Sequence, residues 1–206
     1  MRPLIAAAFV SLDGVMQAPG GPEEDPSGGF ALGGWVAPFW DEETNPFMGV
    51  FDQPFDLLLG RRTYDIFAGY WPSMPEDDPI GSVFNRVTKY VATSAPDTLD
   101  WANSVALTGD VPAQIARLKQ GEGPPLLTQG SSVLLHALLE HGLIDELRLM
   151  TFPVLLGQGR RWFGDASRPA GLTLRSSILS GTGVVSAIYR PAGEVQTGAF
   201  GPPPEA

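Results

Sequence analysis

Asp56-Leu57-Leu58-Leu59-Gly60-Arg61-Arg62-Thr63-Tyr64 is where the chain changes its hydrophobic period, from a continuous apolar run to a helical spacing. Three leucines in a row suit a short strand covered on both faces, and Gly60 ends it. Beyond it Tyr64, Phe67 and Ala68 fall at i, i+3 and i+4, which predicts a helix over residues 61–69. Leu126-Leu127-Thr128-Gln129-Gly130-Ser131-Ser132 repeats the form: a strand over 125–129, a glycine, then a helix over 132–140 that Gly142 closes. Units of this kind predict an α/β sheet with mostly parallel strands, because a crossover helix brings the chain back to run the same way.

The rest of the chain fits around these two units. Residues 4–10 (LIAAAFV) read as a buried strand, followed by Ser11-Leu12-Asp13-Gly14. Residues 17–34 hold six glycines and three prolines, a long loop of the kind that is often functional or mobile. Residues 41–53 place acidic side chains ahead of Phe47, Val50 and Phe51, which suits a helix with its negative charge at the N-terminal end. Residues 71–82 are proline-rich and acidic, hence a loop, and residues 90–93 a strand. Asp110-Val111-Pro112 opens a helix with an N-cap and an early proline, and Val111, Ile115 and Leu118 share one face. Residues 147–152 alternate as a strand does. So do 173–178 and 184–189, joined by Ser180-Gly181-Thr182-Gly183 as an antiparallel hairpin. The expected fold is a three-layer α/β/α domain over residues 1–191, with a mostly parallel central sheet and an antiparallel C-terminal hairpin. Residues 192–206 are expected to form a disordered tail.

At 206 residues and 43% hydrophobic content the chain can build one sizeable core. Its formal net charge of −10 argues against nucleic acid as a partner. No apolar run reaches the roughly 18 residues of a membrane span. The start shows no signal-peptide cleavage site, so the expectation is a cytoplasmic protein without a membrane partner. Cysteine is absent, which excludes disulfides and thiolate chemistry. With two histidines, His136 and His141, no metal site is expected.

Both junctions could meet an anion. A glycine lets a ligand approach the backbone, and the helix that follows offers free N–H groups and a partial positive charge. Arg61 and Arg62 add fixed charges suited to phosphate oxygens, and Thr63, Ser131 and Ser132 add hydroxyls. Open parallel sheets bind ligands at the carboxyl ends of their strands, where both junctions lie. Such turns also occur in α/β proteins without a ligand, and neither GxGxxG nor GxxxxGK[ST] is present. The pair, with its arginines in an acidic chain, favours an anionic ligand. Thr93-Ser94 ends a third strand, where hydroxyls could meet a ribose phosphate or simply make a turn.

LIAAAFVSLDGVM, DLLLGRRTYDIFAGYWP, KYVATS, LLTQGSSVLLHALLEHGLIDELRL and FPVLLGQGRRWF occur in this order. As a set they resemble the dihydrofolate reductase superfamily, in particular small proteins similar to the C-terminal reductase domain of RibD. The likeness covers residues 1–191. It implies a sheet with NADP(H) across its carboxyl edge: Gly60, Arg61, Arg62 and Thr63 at the phosphates, Thr93 and Ser94 towards the 2′-phosphate, Gln129, Gly130, Ser131, Ser132 and Val133 beneath the pyrophosphate and nicotinamide ribose. Ala7 would touch the nicotinamide, and Val15 with Met16 would begin a loop that closes over it. Dihydrofolate reductases carry Gly-Gly at the second junction, often with a cis peptide; Gly130-Ser131 departs from this and leaves the isomer open. No deaminase-like segment accompanies the reductase-like one, so a complete bifunctional riboflavin-pathway enzyme is not expected.

The implied reaction is hydride transfer to a C=N or C=O carbon of a small heterocycle, pterin-like or ribosylaminopyrimidine-like, with a proton delivered to the neighbouring atom. Asp13 is the first candidate acid and Glu43 the second. Asp13 also reads as a turn residue before Gly14, and Asp41–Glu43 as helix-terminal charge. The other reading of the chain is a nucleotide-binding module of the same fold without turnover. The hairpin edge, and the habit of similar proteins, suggest a homodimer.

Overall fold

Residues Leu4, Ala6, Ala8 and Val10 of the first strand, β1 (Leu4–Ser11), pack into one apolar cluster, while Ala7, Ile5 and Phe9 pack into another. A strand apolar on both faces needs cover on both, which makes β1 the middle of three layers. The computed structural model describes residues 1–41, 49–51, 53–164 and 168–200. Its strands β2 (Asp56–Gly60), β3 (Lys89–Ala92), β4 (Ser104–Leu107), β5 (Leu126–Gln129), β6 (Glu146–Phe152), β7 (Leu172–Leu179) and β8 (Val185–Pro191) join β1 in one sheet, ordered β4-β3-β2-β5-β1-β6-β8-β7. Every pairing from β4 to β6 is parallel; β6–β8 and β8–β7 are antiparallel. Helices α1 (Arg61–Tyr70) and α2 (Gly81–Arg86) supply Tyr64 and Phe84 to one face. Helices α3 (Val111–Gln120) and α4 (Ser132–Glu140) supply Ile115, Leu134, Leu135 and Leu138 to the other. This is the expected three-layer arrangement.

The order places a crossover reversal between β2 and β5. From β2 the chain moves outwards through α1 to β3, and from β5 it moves the opposite way through α4 to β6. Loops leaving two adjacent strand ends in opposite directions open a crevice between them. The ladder agrees: β2 and β5 pair only at Asp56–Leu126 and Leu57–Leu127, so Gly60 and Gly130 lie beyond the last rung.

Two elements differ from expectation. Strand β4 is only four residues on the sheet edge, with Val105 exposed, and short half-buried strands leave little period to read. Helix α2 takes in Gly81 and Ser82, the last two residues of the expected 71–82 loop, because Phe84 finds a pocket among Phe51, Phe55, Phe67 and Trp71. The helix expected over 41–53 falls mainly on residues outside the description, Glu43 among them, while Asp41, 49–51 and 53 are not helical. The last six residues of the expected tail, 201–206, also lie outside it. No helix among the described residues is long and apolar enough to cross a membrane.

Candidate functional site

Ser131 ties the two junctions together at the crossover reversal. Its Oγ accepts a hydrogen bond from the Gly60 N–H (3.0 Å) and donates to Thr63 Oγ1 (2.8 Å). A Cβ on Gly60 would come within 3.3 Å of that oxygen, so the glycine is what permits the approach. Gly130 and Ser131 both adopt left-handed backbone, with φ of 70° and 51°, and no cis peptide occurs among the described residues. The Gly130-Ser131 bond is therefore trans, and two consecutive left-handed residues make the turn. Neither α1 nor α4 has a side-chain cap, whereas α3, whose first residue Val111 also reaches the cavity wall, is capped by Asp110 on the Ala113 N–H (3.0 Å). The two helix ends in the crevice keep their first N–H groups available.

A cavity of about 510 Å³ occupies this crevice. Gly60, Arg61, Arg62 and Thr63 line it from one side, and Gln129, Gly130, Ser131, Ser132 and Val133 from the other, so nine of the expected cofactor residues share one space. Ala7, Val15, Thr93 and Ser94 are not in its wall. Ala7 lies under the floor, its carbonyl accepting from the Gly130 N–H (3.0 Å), and its neighbours Ala8 and Phe9 make the surface. Val15 is fully buried, and Met16 takes its place. Thr93 Oγ1 accepts from the Ala95 N–H (3.0 Å), the turn reading, and Ala92 is the wall residue. Arg61 leans over that turn, onto Thr98 Oγ1 and the Ala95 carbonyl. Gln129 adds a polar feature, since its Oε1 is buried without a hydrogen-bond partner.

The long loop forms the cover. Gln17 donates to the carbonyls of Asp25 and Ser27 (both 2.9 Å) and accepts from the Arg160 N–H (3.0 Å). Asp25, nearly buried, takes Arg62 at 3.1 Å and also pairs with Arg160, while Ser27 Oγ donates to it (2.6 Å). Glu24 stands beside it in the wall. None of Gln17, Glu24, Asp25 and Arg160 was singled out from sequence. The one available signal was charge inside a Gly/Pro-rich loop.

Asp13 does not fit the role of proton donor. Its carboxylate accepts from Ser11 Oγ (2.6 Å) and from the N–H groups of Leu156 (3.1 Å) and Gly157 (2.9 Å), outside the cavity wall. The Ser11 hydroxyl, with these amides, outweighs burial and holds it down at about 2. An anion so stabilised ties a loop and gives up no proton near neutrality. Glu43 lies outside the described residues. Lys89 is also perturbed, pushed down to about 8 by burial, yet it is taken up by the carbonyls of Asn85, Val87 and Ala102 away from the cavity. That makes it part of the framework.

Comparison with known proteins gives the same frame. The model of the RibD C-terminal domain family matches residues 2–186. The uncharacterised protein YyaP of Bacillus subtilis (strain 168) is 26% identical over 151 residues, which is 70% of this chain and 80% of that one. Among solved structures, a protein from Shewanella sp. PV-4, named as a candidate riboflavin biosynthesis protein, superposes with a TM-score of 0.62 at 20% identity, covering 92% of this chain and 99% of that one. Dihydrofolate reductase from Enterococcus faecalis, in complex with NADP(H) and a second ligand, gives 0.57 at 17% identity over 92% and 96%.

Proposed function

The chain belongs to the RibD C-terminal domain family, and on that premise we propose that it is an NADPH-dependent reductase of a small heterocycle with a C=N or C=O bond, pterin-like or ribosylaminopyrimidine-like. The observation that carries the reading is the cavity at the crossover reversal, where two uncapped helix N-termini meet beside Arg61 and Arg62. The donor set fits a dinucleotide diphosphate: helix-terminal N–H groups, hydroxyls and guanidinium groups, with a glycine at each of the two strand ends. NADPH bound there would supply the hydride.

This chain's own residues would do the rest. Gly60–Thr63 and Gly130–Val133 hold the phosphates. Arg61, over the turn that follows Thr93 and Ser94, faces the 2′-phosphate end. Ala7 supports the nicotinamide from beneath through Gly130, and Gln129 Oε1 offers an acceptor to a ligand N–H. Val15 anchors Met16, which closes the wall, and the cover from Gln17 to Gly34 excludes water.

Titrating the protein with NADPH and following the dihydronicotinamide fluorescence tests this. We expect saturable binding in the micromolar range; no change up to high micromolar cofactor would sink the reading. A second reading, a nucleotide-binding module without turnover, is favoured by one observation: the Asp13 carboxylate is spent on loop hydrogen bonds. Oxidation of NADPH against pterins, aminopyrimidines, imines and quinones separates the two. The protein is also expected to be a cytoplasmic homodimer. Strand β7 is exposed along its whole length and carries Leu172, Leu174, Ile178 and Leu179 at the sheet edge. Light scattering that returned a monomer at working concentration would contradict the dimer.

A further inference from the structure

We propose that Glu24, in the cover loop, is the carboxylic acid that protonates the substrate; this rests on the reductase reading above. Among the described residues, the carboxyl groups in the cavity wall are Glu24 and Asp25, adjacent in sequence and opposite in surroundings. Asp25 is held by Arg62, Arg160 and Ser27, which fixes it as an anion. Glu24 is half-buried, and no lysine or arginine of the described residues pairs with it. The remaining charged groups of the wall are Arg61, Arg62 and Arg160, and each already has a carboxylate: Asp65 for the first, Asp25 for the other two. Asp65 offsets Arg61, and Asp25 offsets one of the two charges of Arg62 and Arg160; the positive charge left over stays on the pair bonded to Asp25, with no ion pair to Glu24 among the described residues.

The local bonding leaves room for a proton. Glu24 Oε2 accepts from the N–H groups of Gly20 (2.6 Å) and Gly21 (3.2 Å). One oxygen thus anchors the carboxyl to its own loop, and Oε1 is left to carry an O–H. Burial raises this carboxyl above its usual range, and the two N–H donors oppose that only in part. Neighbouring carboxyls whose environments differ in this way divide into an acid and a fixed charge.

The step balances. The substrate carbon of a C=N bond accepts a hydride from a dihydronicotinamide, which leaves oxidised. The π electron pair moves onto nitrogen, nitrogen takes the proton from Glu24, and the Glu24 carboxylate regains a proton from water. A C=O substrate follows the same course with oxygen in place of nitrogen.

Two readouts test the proposal on the full chain. In protein labelled with carboxyl-¹³C glutamate, the Glu24 resonance is the one missing from Glu24→Gln. We expect its titration midpoint above that of exposed Glu23, and a shift when NADPH is added. A midpoint at or below Glu23, without response to NADPH, overturns the proposal. In turnover against the substrate panel, Glu24→Gln should lower kcat by about 10²–10⁴-fold, keep NADPH binding, and lose the decline in rate towards higher pH. Glu24→Asp should recover part of the rate. Wild type that turns over with Glu24→Gln unchanged defeats Glu24 alone. Wild type that binds NADPH and reduces nothing defeats the reductase reading, and the acid with it.

Discussion

The floor of the cavity is built from backbone and hydroxyls, and its cover from side-chain ion pairs. In the floor, Gly60, Gly130 and Ser131 hold two strand ends within hydrogen-bond distance, and the adjoining helices keep their N-termini open. In the cover, Asp25 gathers Arg62, Arg160 and Ser27 from three separate stretches. The difference concerns competition. Backbone N–H groups of the floor have no rival anion, so a phosphate meets them prepaid in geometry. Arg62 in the cover already has one, and a phosphate must share or displace Asp25 to use it. Binding at the floor should therefore depend on shape, and engagement of the cover on an exchange of anions.

The largest effect is expected where the floor's shape is changed. Gly130 has φ of 70°, and a Cβ there would lie 3.3 Å from Met16 Cε. Gly130→Val puts a β-branched residue in left-handed backbone, at a cost of roughly 1–3 kcal/mol, and pushes Met16 into the wall. NADPH affinity should fall on the order of 100-fold, the equivalent of ~2.7 kcal/mol; fluorescence titration measures it. Affinity unchanged by this substitution would mean that the ligand does not rest on the floor at all.

Floor and cover also differed in how far they could be read from sequence. Each junction is a local signal: a leucine run, a glycine, then a change of period, all within a dozen residues. Residues 56–64 and 126–132 therefore declared both their structure and their place at the strand ends. The cover depends on partners distant along the chain, such as Asp25 with Arg160, and no periodicity marks them. Glu24 and Asp25 read simply as charge in a loop. Asp13 misled for a related reason, because its partners Leu156 and Gly157 are backbone groups that sequence does not expose. Thr93 and Ser94 were placed at the right strand end, but only a structure tells which hydroxyl turns back on its own chain.

A middle-sized effect should come from unlocking the cover. Asp25→Asn keeps the size of the side chain and removes the charge that joins Arg62 to Arg160. Stability should fall by about 1–3 kcal/mol, and proteases should cut faster within residues 17–34, as thermal melts and limited proteolysis would record. NADPH affinity should change by less than tenfold, because the floor is untouched. Loss of binding as large as for Gly130→Val would erase the distinction between floor and cover.

The smallest effect tests the tie beneath the cover. Asp13 fastens the end of β1 to the turn at Leu156 and Gly157, a few residues before Arg160 enters the cover. Its carboxyl titrates at about 2 in the folded protein against a usual 3.8. A group depressed on folding stabilises the fold while ionised in both states, so its contribution is complete above pH 3.8 and is lost as pH falls through about 2. Asp13→Asn should cost on the order of 1 kcal/mol at pH 7 and flatten that part of the acid-unfolding curve. Turnover should survive with a modest loss, since Asp13 positions the base of the cover and does not reach the wall. Abolished turnover in a well-folded Asp13→Asn would return the acid to Asp13 and reduce Glu24 to a loop anchor.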